Sequence, residues 1–200
     1  MSDSEIQKLR ITIINLQNRM AELENELLFL KTHNFVAQGI KGEQLAVEIS
    51  GGALSPPGAG YDLAIGKKLK LEVKYSCLQI PNIGSPTKRW QWARPLGWNN
   101  YGKDFDLLLL IGEKDKRFLD QYLDDSPYVF FLVPQADVAS LMTNNKQMKG
   151  AGQITLNTNL ATVRAERSLL LIKFMVPAQR IIELEPSVFK KIDKIDTINT

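Results

Sequence analysis

Asp62, Glu72 and Lys74 are the residues of this chain whose types and spacing point most directly to chemistry. They lie in the stretch 61–76, YDLAIGKKLKLEVKYS, where Leu63, Ile65, Leu69, Leu71 and Val73 recur at a period of two and Asp62, Lys70, Glu72 and Lys74 take the other face. A hairpin closed by the three-residue loop Gly66, Lys67 and Lys68 sets Ile65 opposite Leu69, Leu63 opposite Leu71 and Asp62 opposite Glu72. The two carboxylates are then cross-strand neighbours about 5 Å apart, with Lys74 two residues further along the same face. Carboxylates that close repel each other, so a fold keeps them together mainly when a cation neutralises the pair. Mg²⁺ matches this environment, because it takes hard oxygen ligands and keeps several waters, so that two carboxylates and a main-chain carbonyl suffice. A metal held there polarises a phosphodiester and activates a water, and a neighbouring ammonium can orient that water or stabilise developing charge. The structural alternative is a solvated hairpin in which Asp62, Lys70, Glu72 and Lys74 form salt bridges that contribute little in water.

An aspartate, a gap, then Glu-x-Lys at the end of a hairpin resembles the active site of the PD-(D/E)XK nuclease superfamily, whose fold is the restriction-endonuclease-like one. The resemblance implies that Asp62 and Glu72 are metal ligands, that the Val73 carbonyl is a third, and that Lys74 is the catalytic lysine. It departs from the family pattern at Tyr61, where a proline often stands. In many members of the superfamily a helix ahead of the hairpin supplies a further acid, which makes Glu43 a candidate for the metal site. Glu43 occupies the third position of an apolar stripe formed by Val36, Ile40 and Val47, where a carboxylate is costly unless something pairs with it or it snorkels to solvent.

The elements that must position these residues are legible in outline. The spacing of Ile6, Leu9, Ile13, Leu16, Met20, Leu23, Leu27 and Leu30 alternates three and four without interruption, a heptad pattern with leucine at every d position. The g-to-e′ pairs Glu5 with Arg10, Arg19 with Glu24 and Glu26 with Lys31 are all of opposite sign, as a parallel two-stranded coil requires. The expected organisation is therefore an N-terminal coiled-coil helix over residues 1–33, dimerising through residues 6–30, and a nuclease-type domain over 34–200. A helix docked on its own domain is the alternative for the first segment. A second helix is expected from Phe35 to Ile49, and the loop 51–60, GGALSPPGAG, brackets a very short strand at Ala53 and Leu54.

Beyond the hairpin, Thr87 to Arg94 is predicted as a short helix over the sheet, with Trp90, Trp92 and Trp98 as packing anchors among basic residues. The runs 106–111, DLLLLI, and 128–133, YVFFLV, have the length and composition of strands covered on both faces. Lys116 to Leu123 is expected as a short helix or turn, and Pro134 to Met142 as a helix. Thr143 to Thr162 is expected as a polar excursion, Leu169 to Val176 as a strand and Pro186 to Ile195 as a closing helix. The order of elements describes an α/β fold, a mixed β-sheet flanked by helices of the restriction-endonuclease-like kind.

Composition narrows the chemistry. One cysteine, Cys77, excludes an intramolecular disulfide and a thiolate zinc cluster, and the one histidine, His33, stands at the end of the first helix, which argues against histidine-rich metal sites, HNH-type nuclease chemistry and a Ser-His-Asp triad. The chain carries a net charge of +3, and between residues 67 and 94 the bases Lys67, Lys68, Lys70, Lys74, Lys88, Arg89 and Arg94 face the single acid Glu72. Lys67, Lys68, Lys70, Lys88, Arg89 and Arg94 are accordingly the candidate DNA-binding residues. No apolar stretch reaches membrane-spanning length and the first residues lack a signal peptide's shape, so a soluble, cytoplasmic protein with no membrane partner is expected. Together with the resemblance, these features imply a Mg²⁺-dependent endonuclease of double-stranded DNA, of the homodimeric type II restriction class. A junction resolvase, a repair-directed nicking enzyme and a non-catalytic coiled-coil interaction protein are the alternatives.

Overall fold

The period-two alternation over residues 63–73 folds into a hairpin of β2 (Leu63–Ile65) and β3 (Leu69–Ser76), paired antiparallel with Leu63 opposite Leu71 and Ile65 opposite Leu69. This is the register that the three-residue turn dictates. The computed structural model to which it belongs describes residues 3–66, 68–81, 86–98, 102–144 and 152–184. The chain divides into two compact units, one up to Gln38 and one from Gly39 onward.

The first unit is dominated by α1 (Asp3–Thr32). Its d-position Leu9, Leu16 and Leu23, and its a-position Ile13, Met20 and Leu27, are between 47% and 61% exposed. The helix breaks at His33, whose ring nitrogen Nδ1 lies 2.9 Å from the Phe29 carbonyl and whose ring stacks on Phe29. α2 (Asn34–Ser50) follows at once, and the division between the two units falls within it.

The second unit is a mixed α/β structure. Its main sheet has the order β1 (Ala53–Leu54), β2, β3, β5 (Leu107–Glu113), β6 (Tyr128–Pro134), β9 (Met175–Val176). β3 and β5 run parallel and every other neighbouring pair in this sheet is antiparallel. The apolar run of β5 divides by pleat: Leu108 and Leu110 enter one core layer with Phe131, Trp90 and Trp92, while Leu107, Leu109 and Ile111 enter the other with Leu71, Val73 and Ala46 of α2. The expectation of a central strand covered on both faces is met. α3 (Gln135–Leu141) follows β6 as expected, and the segment predicted as a helix or turn at 116–123 forms a single 3-10 turn at Leu119–Gln121.

Three expectations are corrected. Thr87 to Arg94 contains no helix; Arg89–Ala93 is a strand, β4, whose Trp90 and Trp92 point inward and donate their indole N–H groups to the carbonyls of Glu113 (2.7 Å) and Ile111 (2.9 Å). The alternation Arg-Trp-Gln-Trp-Ala is a period of two, and the dense aromatics belong to a strand face. The polar excursion at 143–162 supplies two further strands, β7 (Thr143–Asn144) and β8 (Gly152–Asn157), which join β4 in a second sheet of order β4, β8, β7. Ile154 and Leu156 alternate inward among the polar residues of β8. Leu169 to Val176 is mostly helical: α4 (Glu166–Lys173) buries Leu171 and leaves Leu169 exposed, and only Met175–Val176 is extended. A run of leucines satisfies either period, and here the one-sided burial selects the helix. A short α5 (Ala178–Ile182) follows, while the closing helix expected at Pro186 to Ile195 lies outside the described residues.

The two sheets are joined by a polar anchor. Asp115, at the end of β5, accepts hydrogen bonds from the Arg117 guanidinium (2.6 and 2.9 Å) and from the Thr158 hydroxyl beyond β8 (2.8 Å). The Arg117 bonds, with that of Thr158, hold its carboxyl well below the usual carboxylate range against the opposing effect of burial. A carboxylate whose pKa is lowered on folding contributes stability that is present above its unfolded value, about 3.9, and is lost as the pH falls toward the folded value. Asp115→Asn is therefore expected to lower the melting temperature by several degrees at pH 7, and the gap to wild type should close progressively below about pH 4. Thermal scans of both proteins between pH 7 and pH 3 measure this; a gap independent of pH would show that the ionised carboxylate is not what stabilises the junction.

Candidate active site

Asp62 is fixed through its main chain before its side chain acts. Its N–H donates to the Leu71 carbonyl and its C=O accepts from the Ser55 N–H, both at 2.9 Å, so the residue continues the hairpin register one step past Leu63 and lies beside Glu72. Its Oδ2 accepts a hydrogen bond from the Val73 N–H at 2.9 Å. Glu72 lies in the middle of β3, opposite Leu108 of β5, and is 0% exposed. A strand with the β2 hairpin on one side and β5 on the other holds this carboxylate rigidly away from water.

The two carboxylates are bridged twice. Lys74 contacts Glu72 Oε1, stands 3.7 Å from Asp62 Oδ2, and donates to the Val73 carbonyl at 3.1 Å. Lys103, which lies before β5, stands 2.7 Å from Glu72 Oε2 and 3.4 Å from Asp62 Oδ1. Each ammonium thus spans one oxygen of each carboxylate. Burial, augmented by the charge of Asp62, pushes the Glu72 carboxyl up, and the two lysines offset part of that rise. For Lys103 burial acts downward, but its close contact with Glu72 and the charges of Glu72 and Asp62 outweigh it, so the ammonium form is favoured.

Two close approaches build this arrangement. A Cβ on Gly60 would lie 2.8 Å from the Asp104 nitrogen, which donates to the Gly60 carbonyl at 2.8 Å; only glycine lets the segment carrying Lys103 lie against the residues leading into Asp62. A Cβ on Gly42 would lie 2.7 Å from the Tyr75 Cβ, so α2 rests directly on β3 at this point. That contact brings in Glu43, whose carboxyl is pushed up by partial burial and then by the charge of Asp62, with Lys74 and Lys103 opposing. Glu43 makes no hydrogen bond or ion pair of its own among the described residues.

Among the described residues no three His, Cys, Asp or Glu side chains gather closely enough to hold a metal by themselves. No protein-family model matches the chain, and no curated protein is significantly similar to it.

The donor set fits a hard divalent cation. Asp62, Glu72 and the Val73 carbonyl offer oxygen only, the donor type that a hard divalent ion takes, and the two carboxylates would supply the negative charge that such an ion neutralises. Glu72 Oε2 is a fully buried acceptor that receives no aligned hydrogen bond, although the Lys103 ammonium is close. Glu43 is near enough for the charges of Asp62, Lys74 and Lys103 to act on its carboxyl. If Asp62 and Glu72 hold Mg²⁺ for a hydrolytic reaction, Glu43→Gln is expected to weaken its dependence on Mg²⁺ and to lower the rate about tenfold; wild-type rates at limiting Mg²⁺ would assign Glu43 to packing alone.

The predicted DNA-binding residues are dispersed. Lys70 pairs with Asp104 at 2.6 Å, an interaction that raises its pKa. Lys68 is exposed at the hairpin turn, and Lys67 lies outside the described residues. Lys88, Arg89 and Arg94 belong to β4 and its flanks; Arg94 adopts a positive φ of 52° and its guanidinium stacks 3.5 Å above the ring of Trp98, which is 62% exposed. None of these bases bonds to Asp62, Glu72 or Lys74 among the described residues. Cys77 has its thiol pushed up by burial and by the Glu113 carboxylate, away from nucleophilic reactivity. No helix among the described residues is long and apolar enough to cross a membrane.

Proposed function

We propose that this protein is a magnesium-dependent endonuclease that hydrolyses phosphodiester bonds of double-stranded DNA, with a PD-(D/E)XK-type site on a restriction-endonuclease-like fold, working as a homodimer of the type II restriction class. The observation that carries the reading is the junction of Asp62, Glu72 and Lys74 on one hairpin, with Lys74 spanning both carboxylates. The order of α2, the β2–β3 hairpin and a β5 parallel to β3 supports the fold assignment.

In this reading Asp62, Glu72 and the Val73 carbonyl hold the cation. When bound, Mg²⁺ supplies Lewis acidity toward the scissile phosphate and lowers the pKa of a water. Lys74 orients the attacking water and stabilises the charge that develops on the phosphorane oxygens. The buried setting of Glu72 keeps this charge interaction in a low dielectric, where it acts more strongly than at a surface. Lys68, Lys88, Arg89 and Arg94 contact the DNA backbone, and Trp98 offers a stacking surface beside Arg94.

The test is cleavage of unmethylated phage DNA by the purified chain with Mg²⁺, beside a chelated control. Discrete bands support the restriction class, a smear supports a non-specific nuclease, and DNA left intact across linear, branched and mismatched substrates overturns the nuclease reading. In that last event the exposed heptads of α1 favour an interaction protein, in which the neutralised cluster of Asp62, Glu72, Lys74 and Lys103 is structural.

A further inference from the structure

The two ammonium groups on the Asp62–Glu72 pair are not equivalent. Lys74 sits on the pair formed by Asp62 Oδ2 and Glu72 Oε1; Oδ2 is also committed to the Val73 N–H at 2.9 Å, and Lys74 has the Val73 carbonyl as a further acceptor at 3.1 Å. Lys103 sits on the remaining pair, Asp62 Oδ1 and Glu72 Oε2, at 3.4 and 2.7 Å. Those two oxygens carry no other hydrogen bond among the described residues, and Oε2 is fully buried. A cation liganded by both carboxylates that leaves the Val73 N–H bond and Lys74 in place uses this second pair, which is where the Lys103 ammonium stands.

We infer that Lys103 is an internal counter-ion that holds the two carboxylates together before metal arrives and is displaced when a divalent cation binds. The inference rests on the reading of Asp62 and Glu72 as cation ligands. Like carboxylates in a buried site repel unless neutralised, and an ammonium brought by the protein itself keeps the hairpin preorganised in the absence of metal. A divalent ion and an ammonium cannot share two oxygens, since their own repulsion at that distance is large. With Lys103 withdrawn, three carboxylates, Glu43 included, face one divalent ion and Lys74, and the charges balance. The Lys103 side chain is suited to withdrawal: four methylenes carry it, its segment is irregular rather than a strand, and its backbone anchor is the neighbouring Asp104 nitrogen bound to Gly60, which the ammonium's departure leaves intact. Divalent affinity is thus set by competition, weaker than the ligand set alone would give. Lys103 is in this sense a positioning residue.

Titration of the full-length protein with Mn²⁺, followed by the loss of the free-ion paramagnetic resonance signal, tests this without any reference to cleavage. Lys103→Met is expected to bind Mn²⁺ at least about tenfold more tightly than wild type, and Lys103→Arg, which keeps the charge, to stay near wild type or weaker. Equal or weaker binding by Lys103→Met overturns the inference while leaving the metal site standing. Absence of any Mn²⁺ binding that Asp62→Asn abolishes, in wild type and variant alike, overturns both. A measurement on the wild type alone guards against a variant that does not fold: amine acetylation mapped by mass spectrometry should label Lys103 several-fold faster in saturating Mn²⁺ than in chelator, with Lys74 unchanged. A Lys103 that is equally or less reactive in Mn²⁺ rejects displacement.

Discussion

Asp62→Ala and Glu72→Ala are each expected to reduce single-turnover cleavage by about three orders of magnitude or more, the scale lost when preorganised charge at a reacting centre is removed. The two variants should differ in their other consequences. Asp62 accepts the Val73 N–H, so its truncation leaves a strand donor without its partner and costs about 1–3 kcal/mol. Glu72 is buried with its carboxyl pushed up, so removing it relieves a desolvated charge but strands two ammonium groups. Lys74 and Lys103 both retain some exposure and can turn to water, and the cost to folding should therefore be small. Glu72→Gln keeps the shape and isolates the charge. Lys74→Ala should cost several orders of magnitude in rate, whereas Lys70→Ala should cost little, because its ammonium already belongs to Asp104. Near wild-type single-turnover rates in either Asp62→Ala or Glu72→Ala would remove both residues from the reaction, and a large loss in Lys70→Ala with none in Lys74→Ala would invert the assignment of the two lysines.

The hairpin was legible because two local rules agree on it. Period-two alternation fixes which face each residue takes, and a glycine-started three-residue turn fixes register, so Asp62 and Glu72 could be set side by side from eleven residues of sequence. Glu43 was legible for a different reason: a carboxylate on an apolar stripe violates helix patterning, and such a violation marks a polar environment at that point of the fold. Lys103 carried no such mark. It follows a glycine in a polar segment, and only the parallel pairing of β5 with β3, Leu107 beside Leu71, brings its segment to the carboxylates. A parallel pair is a long-range fact, and the chain between its strands gives no local sign of it. The same limit explains the second sheet. β4 and β8 pair across more than fifty intervening residues, with Trp90 opposite Leu156 and Trp92 opposite Ile154, and each taken alone has too few apolar positions to declare itself. In α4, Leu169 to Ile172 form an unbroken apolar run that fits a buried strand as well as a helix, so the run alone does not separate the two periods.

Removal of the first helix is expected to convert a dimer into a monomer. α1 keeps its a and d residues from Leu9 to Leu27 about half exposed, an unusual expanse of ordered apolar surface for a helix of thirty residues. Its ion pair of Arg19 with Glu22 at 2.9 Å lies one turn apart on the exposed surface and leaves Arg19 able to exchange Glu22 for Glu24 of a second copy. Glu5 with Arg10 and Glu26 with Lys31 complete a g-to-e′ pattern that a parallel pairing satisfies and an antiparallel one does not. A chain beginning at His33 retains α2 and with it Glu43, so the site should remain assembled. Sedimentation at micromolar concentration should give a dimer for the full chain and a monomer for the shortened one. A full-length monomer, or a shortened chain that associates as tightly, would reject the coil. The cleavage pattern then reports on the geometry of the pair: one site per protomer acts on one strand, so loss of the coil should replace double-strand breaks by nicks unless DNA itself brings two catalytic units together, in which case double-strand cleavage persists and becomes steeply dependent on protein concentration.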